Sequence, residues 1–141
     1  LLAVVWAYPR GKAVKDEKDG HLIAGAAGAT ACLGADFVKV NYPKQEGVQS
    51  EELLKEAVGA AGRCHLICAG GSSTDARKFL EQLYKQIHVG GAKGNATGRN
   101  IHQKTLVEAV QMCDAISAVT FGNKDVDFAV KVFEGKEQFK L

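Results

Sequence analysis

Apolar and polar positions alternate in blocks through the first 118 residues, and the blocks differ in period. Leu1 to Tyr8 is a continuous apolar run closed by Pro9, which predicts a strand. His21 to Leu33 is rich in Ala and Gly, with Leu22, Ile23, Ala26, Ala27 and Leu33 on its apolar side; it predicts a helix able to lie close to a sheet. Ala35 to Tyr42 predicts a second strand. Ser50 is placed to cap a helix with Glu51 and Glu52 in its first turn and Leu53, Leu54, Ala57 and Val58 as the buried stripe. Cys64 to Ala69 predicts a third strand. Thr74 is placed to cap a helix in which Ala76, Phe79, Leu80, Leu83, Tyr84 and Ile87 recur at helical spacing. Ala92 to Thr97 takes the place of a fourth strand by rhythm rather than by propensity. Thr105 and Glu108 form a capping box ahead of Leu106, Ala109, Val110, Cys113 and Ile116. Residues 121–141 fit a strand through Val126, Phe128, Val130 and Val132, or a helix through Val126, Ala129, Val130 and Phe133.

The order βαβαβαβα implies α/β architecture with parallel strands. The strand runs are continuously apolar, as expected where both faces of a sheet are covered. Each βα unit takes about 30 residues, so eight would need about 240, near the size of a (β/α)8 barrel. Four units cannot close a barrel, so they predict half of one; an open doubly wound sheet that binds a nucleotide is the rival. The chain opens inside a strand, without a basic flank or a small-residue cleavage site. It is therefore expected to be part of something longer rather than to begin with a secretory leader.

Composition narrows the picture. Lys and Arg number 18 against 16 Asp and Glu, scattered along a chain that is 46% apolar. No nucleic-acid or membrane partner is expected from that balance, and no apolar run approaches the roughly 20 residues that cross a bilayer. Cys32, Cys64, Cys68 and Cys113 form no CxxC pair and read as buried, reduced thiols, which points to the cytoplasm and away from zinc. His21, His65, His88 and His102 show no ligand spacing.

The chemistry-bearing residues fall where strands end. Tyr8 and Arg10 follow the first strand, Lys39 and Asn41 close the second, Gly70, Gly71, Ser72 and Ser73 follow the third, and Gly98, Arg99 and Asn100 follow the fourth. In parallel α/β folds these positions share one mouth. Lys39 interrupts an apolar strand; burying an ammonium is costly, and a free amine attacks carbonyl carbon to give a Schiff base. It could instead pair with a carboxylate or reach solvent from an edge. Tyr8 could shuttle a proton or plug the core, and Arg10 could hold an anion or lie solvated. The two glycine loops offer backbone N–H groups and a guanidinium to a phosphate, and match neither GxGxxG nor GxxxxGK[ST].

Val5-Trp6-Ala7-Tyr8-Pro9-Arg10-Gly11, Gly34-Ala35-Asp36-Phe37-Val38-Lys39-Val40, Ala69-Gly70-Gly71-Ser72-Ser73 and Gly98-Arg99-Asn100-Ile101-His102-Gln103 together resemble the archaeal-type class I fructose-bisphosphate aldolases, over residues 1–118. The resemblance implies the second half of a (β/α)8 barrel, strands five to eight, with residues 119–141 packing on the barrel or on a neighbouring subunit. It implies Lys39 as the Schiff-base lysine, Tyr8 as the proton-shuttling tyrosine, and Trp6 and Arg10 beside them. Gly70, Gly71, Gly98 and Arg99 are implied to cradle a substrate phosphate. It further implies a phosphorylated sugar substrate, a homo-oligomer, the N-terminal half of the same barrel, and no cofactor or metal. Asn41 departs from the pattern, standing where some relatives carry a basic residue. Schiff-base aldolases, transaldolases or thiolases acting on other phosphorylated ketoses remain as alternatives.

Overall fold

A computed structural model describes residues 1–141. Its centre is a four-stranded parallel sheet in the order β1-β2-β3-β4, formed by Val4–Trp6, Phe37–Val40, His65–Ala69 and Asn95–Ala96. Each strand follows its predecessor in space, as unbroken βα repetition requires. Between them run α1 (Gly20–Cys32), α2 (Ser50–Ala61) and α3 (Ala76–Tyr84), the last continuing into a π-helical turn at Lys85–Val89. After β4 come the short α4 (Arg99–His102), α5 (Leu106–Thr120) and α6 (Val126–Phe133).

Two apolar clusters hold these elements. Val38, Val40, Leu66 and Cys68 from the sheet pack against Ile23, Ala24 and Ala27 of α1 and Leu54, Ala57 and Ala61 of α2. The small residues of α1 let the two helices close up: a Cβ on Gly20 would stand 2.8 Å from the Leu53 side chain. The second cluster joins Phe79, Leu80 and Leu83 of α3 to Met112, Ala115 and Val119 of α5 and Ala129 and Val132 of α6. Within residues 121–141, Val126–Phe133 form a helix rather than a strand. Asp125 caps it, its carboxylate accepting the Phe128 N–H at 2.8 Å.

The sheet differs from expectation in one respect. Only one of its faces is covered within this chain: Val38, Val40, Leu66 and Cys68 are buried, while the alternating Trp6, Phe37, Lys39, His65 and Ile67 are half-buried or exposed. Both helices that pack on strands β2 and β3 lie on the same side, so the continuous apolar runs supply one buried face and one open one.

The ends of elements also moved. Asp19, not a residue within the predicted span, caps α1 by accepting the Leu22 N–H, and Leu22 and Leu33 are exposed. Ser50 is the first residue of α2 rather than its cap, and Gln49 precedes it without a side-chain bond. Asp75, not Thr74, caps α3: its carboxylate accepts the Lys78 N–H at 3.2 Å, and Thr74 lies one residue further out, its own N–H donated to Asn100. The Thr105–Glu108 capping box forms in both directions. Cys64 and Cys68 are buried, but Cys32 and Cys113 are exposed, each on a helix side that nothing in this chain covers. No helix is long and apolar enough to cross a membrane.

Candidate active site

Parallel pairing puts Trp6, Lys39 and Ile67 in one row across β1, β2 and β3, on the open face of the sheet. Lys39 is half-buried, and its Nζ lies 3.6 Å from the centroid of the Trp6 ring. That distance is a close cation–π contact, with the indole face turned to the amine. Tyr8 follows two residues after Trp6. Burial pushes its phenol above the ordinary tyrosine value, the neighbouring Arg10 guanidinium acts against that rise, and the Glu17 carboxylate adds to it. Arg10 stands 5.1 Å over the Tyr8 ring and donates from Nε to Glu17 at 2.6 Å. The residue is thus ion-paired at the surface and also borders the cleft beyond the strand ends.

That cleft, of about 810 Å³, lies at the carboxyl ends of the strands. Arg10, Asn41, Gly70, Gly71 and Arg99 all line it. Lys18, Lys44 and Lys78 join the two arginines there, and Glu17 is its single acid. The field inside therefore favours an anion. Trp6 and Lys39 lie on the sheet rather than in the cleft wall, and Asn41, two residues beyond Lys39 on the strand's continuation, links the two areas. Gly98 sits behind Arg99, where a Cβ would meet the His102 imidazole at 3.2 Å.

The glycine loop after β3 is shaped by its surroundings. A Cβ on Gly70 would stand 2.7 Å from Thr97 Cα, so only glycine lets the loops after β3 and β4 touch. Gly71 has φ +67°, a left-handed conformation that turns successive N–H groups to one side. The backbone N–H groups of Gly71, Ser72 and Ser73 have no acceptor within the protein. They lie on residues that line the cleft.

Two residues beside the cleft, the buried Asn100 and the half-buried Tyr42, received no role of their own from the sequence. Asn100, 1% exposed, bonds to three points of the Gly70–Thr74 loop. Its only signal was its place in the Gly98-Arg99-Asn100 motif, because α4 is too short to show a period. Tyr42 lines the cleft, and its phenol is pushed far above the ordinary value by burial first, then by Glu51 and Cys68. It had been read only as the last residue of a strand.

Comparison with known proteins places this arrangement. A family profile described as DeoC/LacD family aldolase matches residues 1–104. The chain belongs to that family. Among its relatives within these aldolases is the fructose-bisphosphate aldolase/6-deoxy-5-ketofructose 1-phosphate synthase of Methanocaldococcus jannaschii, 60% identical over 135 residues, which are 96% of this chain and 43% of that protein. The fructose-bisphosphate aldolase structure from Slackia heliotrinireducens superimposes with a TM-score of 0.95 at 59% identity, over 100% of this chain and 45% of that one. An archaeal fructose-1,6-bisphosphate aldolase, solved with its catalytic Lys covalently bound to the carbinolamine intermediate of the substrate, superimposes with a TM-score of 0.76 at 31% identity, covering 86% of this chain and 46% of that one. The chain thus spans less than half the length of these aldolases, and its fold is part of a (β/α)8 barrel.

Proposed function

We propose that this chain carries the Schiff-base half of a class I aldolase that reversibly cleaves fructose 1,6-bisphosphate to dihydroxyacetone phosphate and glyceraldehyde 3-phosphate. The observation that carries this reading is the position of Lys39. It is an amine set mid-sheet on the open face, against Trp6, one strand turn from an anion-favouring cleft. The names of the aldolase relatives support it, among them the one solved as a carbinolamine on its lysine.

In this reading Lys39 Nζ, as the free amine, adds to the keto carbon of the sugar and forms a carbinolamine. Loss of water, with the Tyr8 phenol moving the proton, gives an iminium. The bond between C3 and C4 then breaks as the C4 hydroxyl loses its proton, and its electron pair is taken up by the iminium to give an enamine. Glyceraldehyde 3-phosphate departs, C3 of the enamine is protonated, and water releases dihydroxyacetone phosphate from Lys39. Because the iminium is the electron sink, the proposed reaction is written without a metal or cofactor. Arg99 and the N–H of Gly71, on loops that Gly70 and Gly98 let pack together, hold one substrate phosphate and fix the keto carbon over Lys39; the Gly70 N–H itself is bonded to the Ala96 carbonyl at 3.1 Å. Trp6 and Arg10 position the amine and the Tyr8 ring.

Residues 1–118 are read as strands five to eight of the barrel and their helices, completed by the N-terminal half of the same protein; the share of the relatives that the chain covers supports this. Residues 119–141, with α6 on α3 and α5, form an extension over the barrel helices or toward a neighbouring subunit of a cytoplasmic homo-oligomer. The test is borohydride reduction of the full-length protein with dihydroxyacetone phosphate, followed by peptide mass mapping. A reduced adduct on the Lys39 peptide is expected, and none in Lys39→Ala; an adduct elsewhere, or none in the unaltered protein, overturns the reading. A second phosphorylated ketose is favoured by the name of the M. jannaschii relative, which includes 6-deoxy-5-ketofructose 1-phosphate synthase. A panel of phosphorylated ketoses ranked by kcat/KM separates the two.

A further inference from the structure

The three hydrogen bonds of Asn100 engage its oxygen and both of its N–H donors. Its Oδ1 accepts the Thr74 N–H at 3.0 Å, and its Nδ2 donates to the carbonyls of Gly70 at 3.3 Å and Ser72 at 3.2 Å. A primary amide offers one acceptor oxygen and two N–H donors, and here all of these groups point into a single turn of backbone. The loop from Gly70 to Thr74 is wrapped around the amide of a residue 26 to 30 positions later in the chain. With the Gly70 and Ser72 carbonyls drawn inward, the amides of Gly71, Ser72 and Ser73 are left without protein acceptors on residues lining the cleft. Arg99 is the residue before Asn100, so the same clamp fixes the guanidinium-bearing backbone to the loop.

We propose that Asn100 is the positioning residue of the anion cleft. It holds the Gly70–Thr74 loop with its N–H groups free and keeps Arg99 in register with them, so that the two loops act as one phosphate site. The inference rests on the reading of the cleft as the seat of a substrate phosphate. It assigns no contact between Asn100 and the substrate; Asn100 is 1% exposed and acts through the backbone it holds.

The test uses the full-length protein with two probes, dihydroxyacetone phosphate and its phosphate-free counterpart dihydroxyacetone, trapped on Lys39 with borohydride. Asn100→Ala removes all three bonds. Asn100→Asp keeps the size but turns two donors into acceptors facing the Gly70 and Ser72 carbonyls. Both are expected to raise the half-saturating concentration of dihydroxyacetone phosphate by about tenfold, with inorganic phosphate losing potency as a competitor by the same factor. The half-saturating concentration of dihydroxyacetone should stay within about twofold of the unaltered protein. A folded variant with unchanged response to dihydroxyacetone phosphate overturns the proposal. Equal losses with both probes overturn it too, as does loss of cooperative folding in both variants, since each assigns Asn100 to the fold alone. If the unaltered protein itself forms the Lys39 adduct but does not prefer the phosphorylated probe, it is the phosphate reading of the cleft that fails. If it forms no Lys39 adduct at all, the aldolase reading fails.

Discussion

Tyr8 and its two charged neighbours form a small electrostatic unit whose parts oppose one another. Burial raises the phenol, Arg10 lowers it, and Glu17, bonded to Arg10 at 2.6 Å, raises it again. The folded chain therefore holds this proton to higher pH than the unfolded chain does. The stability it lends is complete below the unfolded pKa of about 10 and falls as pH rises through the folded value. Removing the guanidinium in Arg10→Ala should move the phenol titration further up, and Glu17→Gln should move it down. Phenolate absorbance followed against pH, with Tyr8→Phe subtracted, measures both shifts. Equal titration in all three proteins would mean that the two charges do not reach the ring. Of the residues in this region, Lys39 and Tyr8 were legible because each breaks an apolar strand pattern with a reactive group. Asn100 was not, because a polar side chain beside glycines looks like a loop residue until the loop it grips is seen.

At the scale of elements, the join between α2 and the turn after α3 depends on a buried acid. Burial alone would raise the Glu51 carboxyl, but its own backbone N–H, the bond and charge of the Lys85 ammonium, and the Lys55 charge outweigh it and hold it below the usual range. Lys85 Nζ lies 3.0 Å from Glu51, whose side chain is 9% exposed. A lowered carboxyl contributes stability above its unfolded pKa and loses it as pH falls through the folded value. Lys85→Met should therefore cost on the order of 1–3 kcal/mol near neutrality, by leaving a buried carboxylate unpaired. The difference should close in acid, once Glu51 is protonated in both proteins; denaturant unfolding across that range checks it. The helices were legible wherever their apolar period ran long, as in α3 and α5. Their ends were not: Asp75 rather than the adjacent Thr74 caps α3, Ser50 falls inside α2, and Asp19 caps α1 from ahead of its apolar stretch. The π-helical turn at Lys85–Val89 was hidden inside what read as a continuing α-helical stripe, with Ile87 still at an apparent helical spacing. Strand β4 reduced to Asn95–Ala96 because its polar flanks, Lys93 and Thr97, offer little to a covered face.

Across the whole molecule, the two apolar clusters meet at a narrow joint. A Cβ on Gly90 would stand 2.6 Å from Leu54 of the first cluster and 3.0 Å from the Gln86 carbonyl of the turn next to the second. The architecture was legible from unit counting, because a βα repeat leaves a parallel sheet with its chemistry at the strand ends. What counting could not give was which face of the sheet stays open. That depends on both α1 and α2 crossing on the same side, a matter of chain handedness rather than of apolar content. The covered side carries Cys68, whose thiol is fully buried and pushed up to about 12 by that burial. Cys32 and Cys113 are exposed. The four thiols thus form a clock inside the protein. Under native conditions an alkylating reagent should consume Cys32 and Cys113 at once. It should reach Cys68 only during the rare moments when α1 and α2 lift from the strands. Mass spectrometry of each thiol over time would read the frequency of that lifting, and Cys68 labelled as fast as Cys113 would mean that the helices never close on the sheet.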